Sequence, residues 1–185
     1  NISVYLSETD LEKELKIRVF LKLRANDNSF VESRLVETRE FEEAYKEFYK
    51  PFLIGDFCII PTWEKESALA MELMSTGNKI SMFMNPGMAF GTGHHETTKL
   101  MLTRMNHLNF QSKTVLDMGT GSGILSIAAA RLGAKDILAI DIDPNAVRAT
   151  EYNWNENNFP QNPKFEILEG GFDAPEISKK EYDIV

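Results

Sequence analysis

The sequence predicts an α/β fold built on a parallel sheet, preceded by a small α+β domain. After residue 113, apolar runs alternate with helical patterns, which is the order expected of a βαβαβ chain. Glycines at alternate positions follow the first of these apolar runs, and a helical pattern begins at once. Residues 1–52 differ from the rest because they are rich in Glu and Lys and contain no glycine. These observations together predict the two-part architecture.

The first domain is predicted over residues 1–52. A partly alternating apolar run at 16–23 predicts a strand. Residues 38–49 predict an amphipathic helix, which Pro51 closes because proline cannot continue a helix. These elements together predict a small α+β domain.

Residues 53–84 are interpreted as a linker with connecting β elements. The apolar runs at 57–61 and 79–84 flank a helical pattern at about 67–74, and the two runs could pair as strands. The main domain is then predicted over residues 85–185.

The start of the main domain, residues 85–98, combines Pro-Gly with Gly-x-Gly and so requires loop geometry. A helix is predicted to begin near Thr97, with Thr97 as its cap. We expect one face of this helix to be buried. The residues predicted for that face are Leu100, Met101, Met105 and Leu108.

The elements after residue 113 follow from apolar runs and from signals for helix ends. Asp143 and Pro144 supply an N-cap and a first helical residue, and Gly133 supplies a helix stop. The predicted elements are strand 114–117, helix 123–132, strand 136–141, a helix from 144 to about 157, strand 164–168 and a strand that begins at 182. Because the sequence ends inside the last strand, we expect a truncated sheet.

Composition argues against several classes of function. No apolar run reaches about 18 residues, so we expect no membrane span. The net charge of −8 and the lack of any basic cluster longer than two residues argue against nucleic-acid binding. The single cysteine, Cys58, lies in an apolar run, which predicts a buried thiol in a cytoplasmic protein. We expect a monomer.

The spacing of the glycines distinguishes two kinds of ligand. A dinucleotide fingerprint would have its third glycine where this chain has Ile124. Asp117 precedes Gly119 by two residues, where it would repel a pyrophosphate but suit an ammonium group. Gly119 and Gly121 allow a ligand to approach the backbone, and the following helix N-terminus suits a carboxylate. S-adenosylmethionine, with its amino-acid tail, ribose and base, meets these requirements.

A second acid, Asp141, ends the next predicted strand. By the logic of dinucleotide sites, it is placed to accept both hydroxyls of a ribose. An acid at this point could instead cap the following helix, but Asp143 already fills that position. We therefore interpret Asp141 as a ribose ligand. If the ligand is S-adenosylmethionine, residues 170–173, after the third strand, are where the edge of the adenine is expected.

These motifs resemble class I S-adenosylmethionine-dependent methyltransferases, which have a Rossmann-like sheet. Residues 85–98 resemble the signature of the PrmA family, and the resemblance is close over about 51–157. It implies a protein methyltransferase that transfers methyl groups to lysine or N-terminal amines of a large-subunit ribosomal protein, the eleventh in the usual count. It also implies that the N-terminal domain recognises this substrate.

The resemblance implies particular cofactor contacts as well. Thr98, Gly119 and Asp141 match the family's contacts to S-adenosylmethionine. The residues expected to line the same pocket are Phe90, Gly91 and Thr92. A further family contact, an asparagine after the fourth strand, would fall beyond Val185, as would the acceptor contacts. No catalytic residue is therefore predicted.

Other functions stay open at this point. The acceptor could be another protein or a small molecule, or the chain could be a non-catalytic binding module. Ile124 and Asp117 count against an oxidoreductase with a degenerate dinucleotide turn. His94, His95 and Glu96 suggest a metal site, but adjacent histidines point apart and no nearby His or Cys completes a ligand set. We expect no metal.

Overall fold

The computed structural model describes residues 46–47, 49–87, 91–160 and 163–185. They fall within one of two compact units, Ala44–Val185. The predicted strand at 16–23 lies outside the described residues, as does most of the predicted helix at 38–49. The division into three segments therefore stays a prediction.

Three strands near the start of this unit form the first sheet. Their bounds are β1 (Phe52–Ile54), β2 (Phe57–Pro61) and β3 (Ile80–Met84). β1 runs antiparallel to β2, and β2 runs parallel to β3. Helix α1 (Ala68–Ser75) makes the crossover, and the Ser67 hydroxyl caps it by accepting a hydrogen bond from the Ala70 amide at 3.2 Å. The predicted pairing of the two apolar runs is confirmed.

The second sheet is parallel and has the order β4-β5-β6. Its strands are β4 (Thr114–Met118), β5 (Asp136–Asp141) and β6 (Lys164–Glu169), each within one residue of its predicted bounds. On the other side of β4, Ile184 bridges to Val115 and accepts a hydrogen bond from the Leu116 amide at 2.9 Å. The spatial order is thus third, second, first and fourth strand, which opens a ligand crevice at the carboxyl end of β4.

Three further helices complete the second part of the chain. Their bounds are α2 (Glu96–Met105), α3 (Ile124–Arg131) and α4 (Pro144–Glu156), and single turns of 3-10 helix lie at Thr62–Glu64 and Ile177–Lys179. Asp143 caps α4 by accepting a hydrogen bond from the Asn145 amide at 2.9 Å. α3 ends at Arg131, and Gly133, which follows the C-cap residue Leu132, has a φ of +101° that favours glycine. Both predicted helix-end signals are confirmed.

One hydrophobic core joins the two sheets. It contains Ile59 and Met82 from the first sheet and Val115 and Ile137 from the second. α3 lies in the middle of this core, and its buried residues are Ile124, Ser126, Ile127, Ala128, Ala129 and Ala130. Small alanine side chains let a helix lie close to strands on several sides, so α3 brings the end of β4 near the first sheet.

The predicted buried face of α2 is correct for Met105 and wrong for the other three residues. Leu100 is 69% exposed and Met101 is 50% exposed, whereas the buried residues are Thr98, Leu102 and Met105. These three recur at i, i+4 and i+7 and pack toward β1 and α3. The predicted set mixed two faces of the helix, and it included Leu108, which lies beyond the last helical residue and is 41% exposed.

The predicted cap of α2 is also wrong by two residues. The N-cap is His95, whose Nδ1 atom accepts a hydrogen bond from the Thr97 amide at 3.3 Å and lies 2.7 Å from the Thr97 hydroxyl. Thr97 is therefore inside the first turn. Ser, Thr, Asp and Asn are the usual capping residues, so a histidine was not expected. Within the described ranges, no helix is long and apolar enough to cross a membrane.

Candidate functional site

The glycine turn, residues 119–123, connects β4 to α3 at the carboxyl end of the second sheet. Gly119, Gly121 and Gly123 have φ angles of +74°, +58° and +81°, so each adopts a backbone conformation that favours glycine. A Cβ atom on Gly119 would meet no heavy atom within 4 Å, whereas one on Gly123 would lie 2.8 Å from Thr150 Cγ2. The turn is thus open at its first glycine and closely packed at its last.

Asp141, at the end of β5, is hydrogen-bonded to the glycine turn. Its Oδ2 atom accepts a hydrogen bond from the Gly121 amide at 2.9 Å, and its Oδ1 atom accepts one from the Asp143 amide at 3.0 Å. The carboxylate is half-buried. Each oxygen retains a further lone pair, so a carboxylate oriented in this way can still accept hydrogen bonds from hydroxyl groups.

Asp117 lies within β4 and is only 9% exposed. Its Oδ2 atom accepts hydrogen bonds from the Ser126 hydroxyl at 2.7 Å and the Thr120 hydroxyl at 2.9 Å. Burial raises the pKa of Asp117, and the hydroxyls of Ser126 and Thr120 oppose that rise. The Asp117 side chain therefore connects the glycine turn to α3 through these hydrogen bonds. Its contact with an ammonium group stays a prediction.

The predicted pocket residues of the 91–98 segment differ in their placement. Gly91 lies against the glycine turn, because its carbonyl accepts a hydrogen bond from the Ser122 hydroxyl at 2.7 Å. Thr92 Oγ1 lies 3.4 Å from the Tyr49 hydroxyl, and Thr98 is buried on α2. Phe90 lies outside the described residues. The structure thus brings Gly91 to the turn together with the predicted glycines and acids.

The side chains of His94, His95 and Glu96 have three separate contacts. The His94 ring packs on Phe52 with a centroid distance of 4.3 Å, and burial lowers its pKa. His95 caps α2, and Glu96 forms an ion pair with Lys99 at 2.8 Å. Among the residues that the structure describes, no group of three or more His, Cys, Asp or Glu is placed to hold a metal ion.

Two apolar side chains are exposed beside Asp141. Ile142, directly after β5, is 77% exposed, and Phe172, after β6, is 89% exposed. The loops that carry them approach each other, since a Cβ atom on Gly171 would lie 3.7 Å from Ile142 Cγ2. Large apolar groups at the carboxyl edge of a parallel sheet are suited to contact a flat ring.

Three polar residues near the site were not predicted from the sequence. Thr150 on α4 donates a hydrogen bond to the Gly121 carbonyl at 3.0 Å. Asn153, one turn further along α4, donates one to the Ser122 carbonyl at 2.8 Å. Ser122 in turn contacts Gly91. Thr150 and Asn153 follow Ala146 along a buried helix face, and polar residues on such a face are a signal that could have found them.

Comparisons with known proteins agree with this geometry. The family model described as ribosomal protein L11 methyltransferase (PrmA) matches residues 1–185. The ribosomal protein L11 methyltransferase of Leptospira interrogans serovar copenhageni is 52% identical over 182 residues, which are 98% of this chain and 59% of the relative. That of Dictyoglomus thermophilum is 37% identical over 161 residues, or 84% of this chain and 51% of the relative.

A solved structure also matches. The crystal structure of ribosomal protein L11 methylase from Lactobacillus delbrueckii subsp. bulgaricus is 32% identical, with a TM-score of 0.55 over 66% of this chain and 58% of that one. The parallel sheet and mixed α/β architecture thus fit a class I methyltransferase fold. The chain spans little more than half the length of these relatives.

The family resemblance inferred from residues 85–98 is confirmed, and it extends further than those motifs indicated. The sequence motifs supported it over about 51–157, whereas the family match includes the first fifty residues. The chain therefore belongs to the ribosomal protein L11 methyltransferase (PrmA) family.

Proposed function

We propose that the carboxyl end of the second sheet binds S-adenosylmethionine, and that the whole protein methylates amines of ribosomal protein L11. One observation carries the proposal. The glycine turn is open at Gly119, while the neighbouring Asp141 carboxylate is fixed by the Gly121 amide at 2.9 Å. An open backbone beside an oriented acid fits a ligand that has both a compact charged tail and a ribose.

The residues of the site fit the three parts of this cofactor. Asp141 accepts the ribose hydroxyls through the free lone pairs of its carboxylate. Ile142 and Phe172, which are largely exposed, contact the adenine ring. Gly119 allows the amino-acid tail to approach the backbone, and Asp117 favours its ammonium group. Gly91 and Thr92, from the segment before α2, and Thr98, on α2, contribute a further wall of the site.

Catalysis of methyl transfer to an amine depends more on positioning the two reactants than on proton transfer. Bound S-adenosylmethionine supplies an electrophilic methyl group to a neutral amine. The chain's own residues orient the two reactants and exclude water, which is where much of the rate enhancement of such a displacement arises. A lysine acceptor must first lose its proton, because an ordinary lysine has a pKa of about 10.4. No described residue is assigned as the base.

The proposed acceptor follows from the family and from charge. Relatives that are up to 52% identical are named ribosomal protein L11 methyltransferases. The net charge of −8 favours association with a basic ribosomal protein and disfavours nucleic acid. We assign the recognition of this substrate to residues 1–52, and we expect a cytoplasmic monomer.

Two measurements test the proposal. Calorimetric titration of this chain with S-adenosylmethionine should give one binding site per chain, and a lack of binding would contradict the proposed site. Radiolabelled methyl transfer, with a protein that spans the relatives' full length and ribosomal proteins from a methylation-deficient strain, should label L11 on amines. Label on another protein would reassign the acceptor. Binding without any transfer would favour a non-catalytic module.

A further inference from the structure

Asn153 on α4 and Asn157, the C-cap residue of α4, hydrogen-bond to the backbone of β3 and of Asn85 directly after it, on the side of β3 away from β2. Asn157 accepts a hydrogen bond from the Phe83 amide at 3.0 Å and donates one to the Phe83 carbonyl at 2.7 Å. In the same way, Asn153 accepts a hydrogen bond from the Asn85 amide at 2.6 Å and donates one to the Asn85 carbonyl at 3.3 Å. Both side chains are buried. Each amide therefore acts as one residue of an additional strand along this edge.

Asn153 has a further contact that distinguishes it from Asn157. Its Nδ2 atom also donates a hydrogen bond to the Ser122 carbonyl in the glycine turn, at 2.8 Å. The corresponding Nδ2 atom of Asn157 donates to the Asn153 carbonyl at 2.7 Å, within α4. The two residues share their side-chain chemistry and burial. Asn153 lies on α4 and contacts the turn, whereas Asn157, the C-cap of α4, contacts Asn153 and accepts a hydrogen bond from Arg131 Nη2 on α3 at 3.3 Å.

The contacts of Asn153 and Ser122 hold Asn85 and Gly91 near the glycine turn. The backbone of Asn85 is held by Asn153. The Gly91 carbonyl accepts a hydrogen bond from the Ser122 hydroxyl at 2.7 Å. Because Asn153 also donates a hydrogen bond to the Ser122 carbonyl, one buried side chain connects the turn to Asn85, while the Ser122 hydroxyl connects the turn to Gly91.

We propose that Asn153 is a positioning residue that couples Asn85 and, through Ser122, Gly91 to the glycine turn and thereby sets the affinity for S-adenosylmethionine. This inference rests on the proposed function for its ligand. Asn153 does not touch the ligand. It acts by holding Asn85 and Ser122 at a fixed separation, so that the two walls of the pocket are formed before binding, which lowers the cost of ordering them.

The matched pair Asn153→Ala and Asn157→Ala tests this inference. Each substitution removes the side-chain partner of one backbone amide and carbonyl, those of Asn85 or of Phe83, so we expect similar losses of thermal stability. Hydrogen exchange, followed by mass spectrometry without ligand, should become faster at both 85–98 and 119–123 in Asn153→Ala alone. Calorimetry should show the Kd for S-adenosylmethionine raised at least about tenfold in Asn153→Ala and unchanged, within about twofold, in Asn157→Ala.

Several results would overturn the inference. Equal loss of affinity in both variants would mean that α4 supports the site only through general stability. Normal affinity in a folded Asn153→Ala protein would exclude the coupling. If that variant does not fold, the isosteric Asn153→Asp keeps an acceptor for the Asn85 amide but loses the amide donor to the Ser122 carbonyl. It should weaken binding in the same direction, and unchanged affinity would overturn the proposal. If the unaltered chain binds no S-adenosylmethionine, the proposed function fails, and the exchange experiment still decides the coupling.

Discussion

The two ends of the glycine turn contain the same residue type for different physical reasons. At Gly119 a side chain would enter open space, whereas at Gly123 it would lie 2.8 Å from Thr150 Cγ2. The first glycine leaves room for a ligand, and the third allows α3 and α4 to pack closely. The glycine pattern in a sequence therefore combines a requirement of binding with a requirement of folding.

The two acidic residues of the site, Asp141 and Asp117, also differ in their burial and in their hydrogen-bond partners. Asp141, at the open end, is half-buried and is held by backbone amides. Asp117 is 9% exposed and is held by the hydroxyls of Thr120 and Ser126. The open end presents a carboxylate to a ligand, while the buried carboxylate connects the turn to α3. Changes at Asp141 should thus affect binding, whereas changes at Asp117 should affect stability in addition to the proposed contact with the ammonium group.

The largest expected effect is at the packed end. Gly123→Val should lower the free energy of unfolding by about 4 kcal/mol, because left-handed backbone strain adds to overpacking against Thr150. Urea denaturation monitored by circular dichroism measures this loss. A variant as stable as the unaltered chain would contradict the close packing of α3 and α4 at this glycine.

At the open end, Asp141→Ala should weaken S-adenosylmethionine binding by about 3 kcal/mol, or roughly a hundredfold in Kd, since two charge-assisted hydrogen bonds are lost. Calorimetry provides the measurement. Asp143→Ala is the control: it removes the cap of α4, which should cost about 1 kcal/mol of stability but leave affinity unchanged. Unchanged affinity in Asp141→Ala would show that the ribose lies elsewhere.

Gly119→Ala should separate binding from stability. The left-handed φ of +74° makes alanine strained there, at a cost of about 1 kcal/mol in the free energy of unfolding. The added methyl group occupies the open side of the turn, so the Kd for S-adenosylmethionine should rise about tenfold. Paired urea denaturation and calorimetry test both values. A large loss of stability together with normal binding in Gly119→Ala would contradict the proposal that Gly119 serves binding and Gly123 serves packing.

The smallest effect concerns Asp117 and pH. Burial raises the pKa of this carboxyl in the folded protein, so the folded state holds the proton more tightly than the unfolded state. The stability of the unaltered chain relative to Asp117→Asn should therefore fall as the pH rises above about 4, the ordinary pKa of an aspartate. Urea denaturation at pH 4 and pH 7 measures the difference, and a relative stability that rises over this interval would contradict it.

Local signals made the second sheet predictable from the sequence. The bounds of β4 to β6 followed from short apolar runs, and the Asp143 cap followed from a dipeptide with a known preference. The stop after α3 also followed, because glycine at 133 takes a left-handed conformation there. Each of these features depends on residues close together in the sequence.

The features that were missed depend on distant residues. The buried face of α2 is set by β1 and α3, which the pattern of Leu100 and Met101 could not indicate. Asn153 is separated from Asn85 by 68 positions and from Ser122 by 31. A buried asparagine is visible in a sequence only as a polar residue on an otherwise buried helix face, and its partners are determined by the packing of α4 against β3.

The central claim is that S-adenosylmethionine binds at the open end of the glycine turn. Amide ¹H–¹⁵N NMR spectra recorded during titration with S-adenosylmethionine test it most directly. We predict that the amide signals of Gly119, Gly121 and Ile142 shift, while that of Gly133, at the far end of α3, does not. Shifts confined to residues away from the turn, or an absence of shifts at millimolar ligand, would contradict the account.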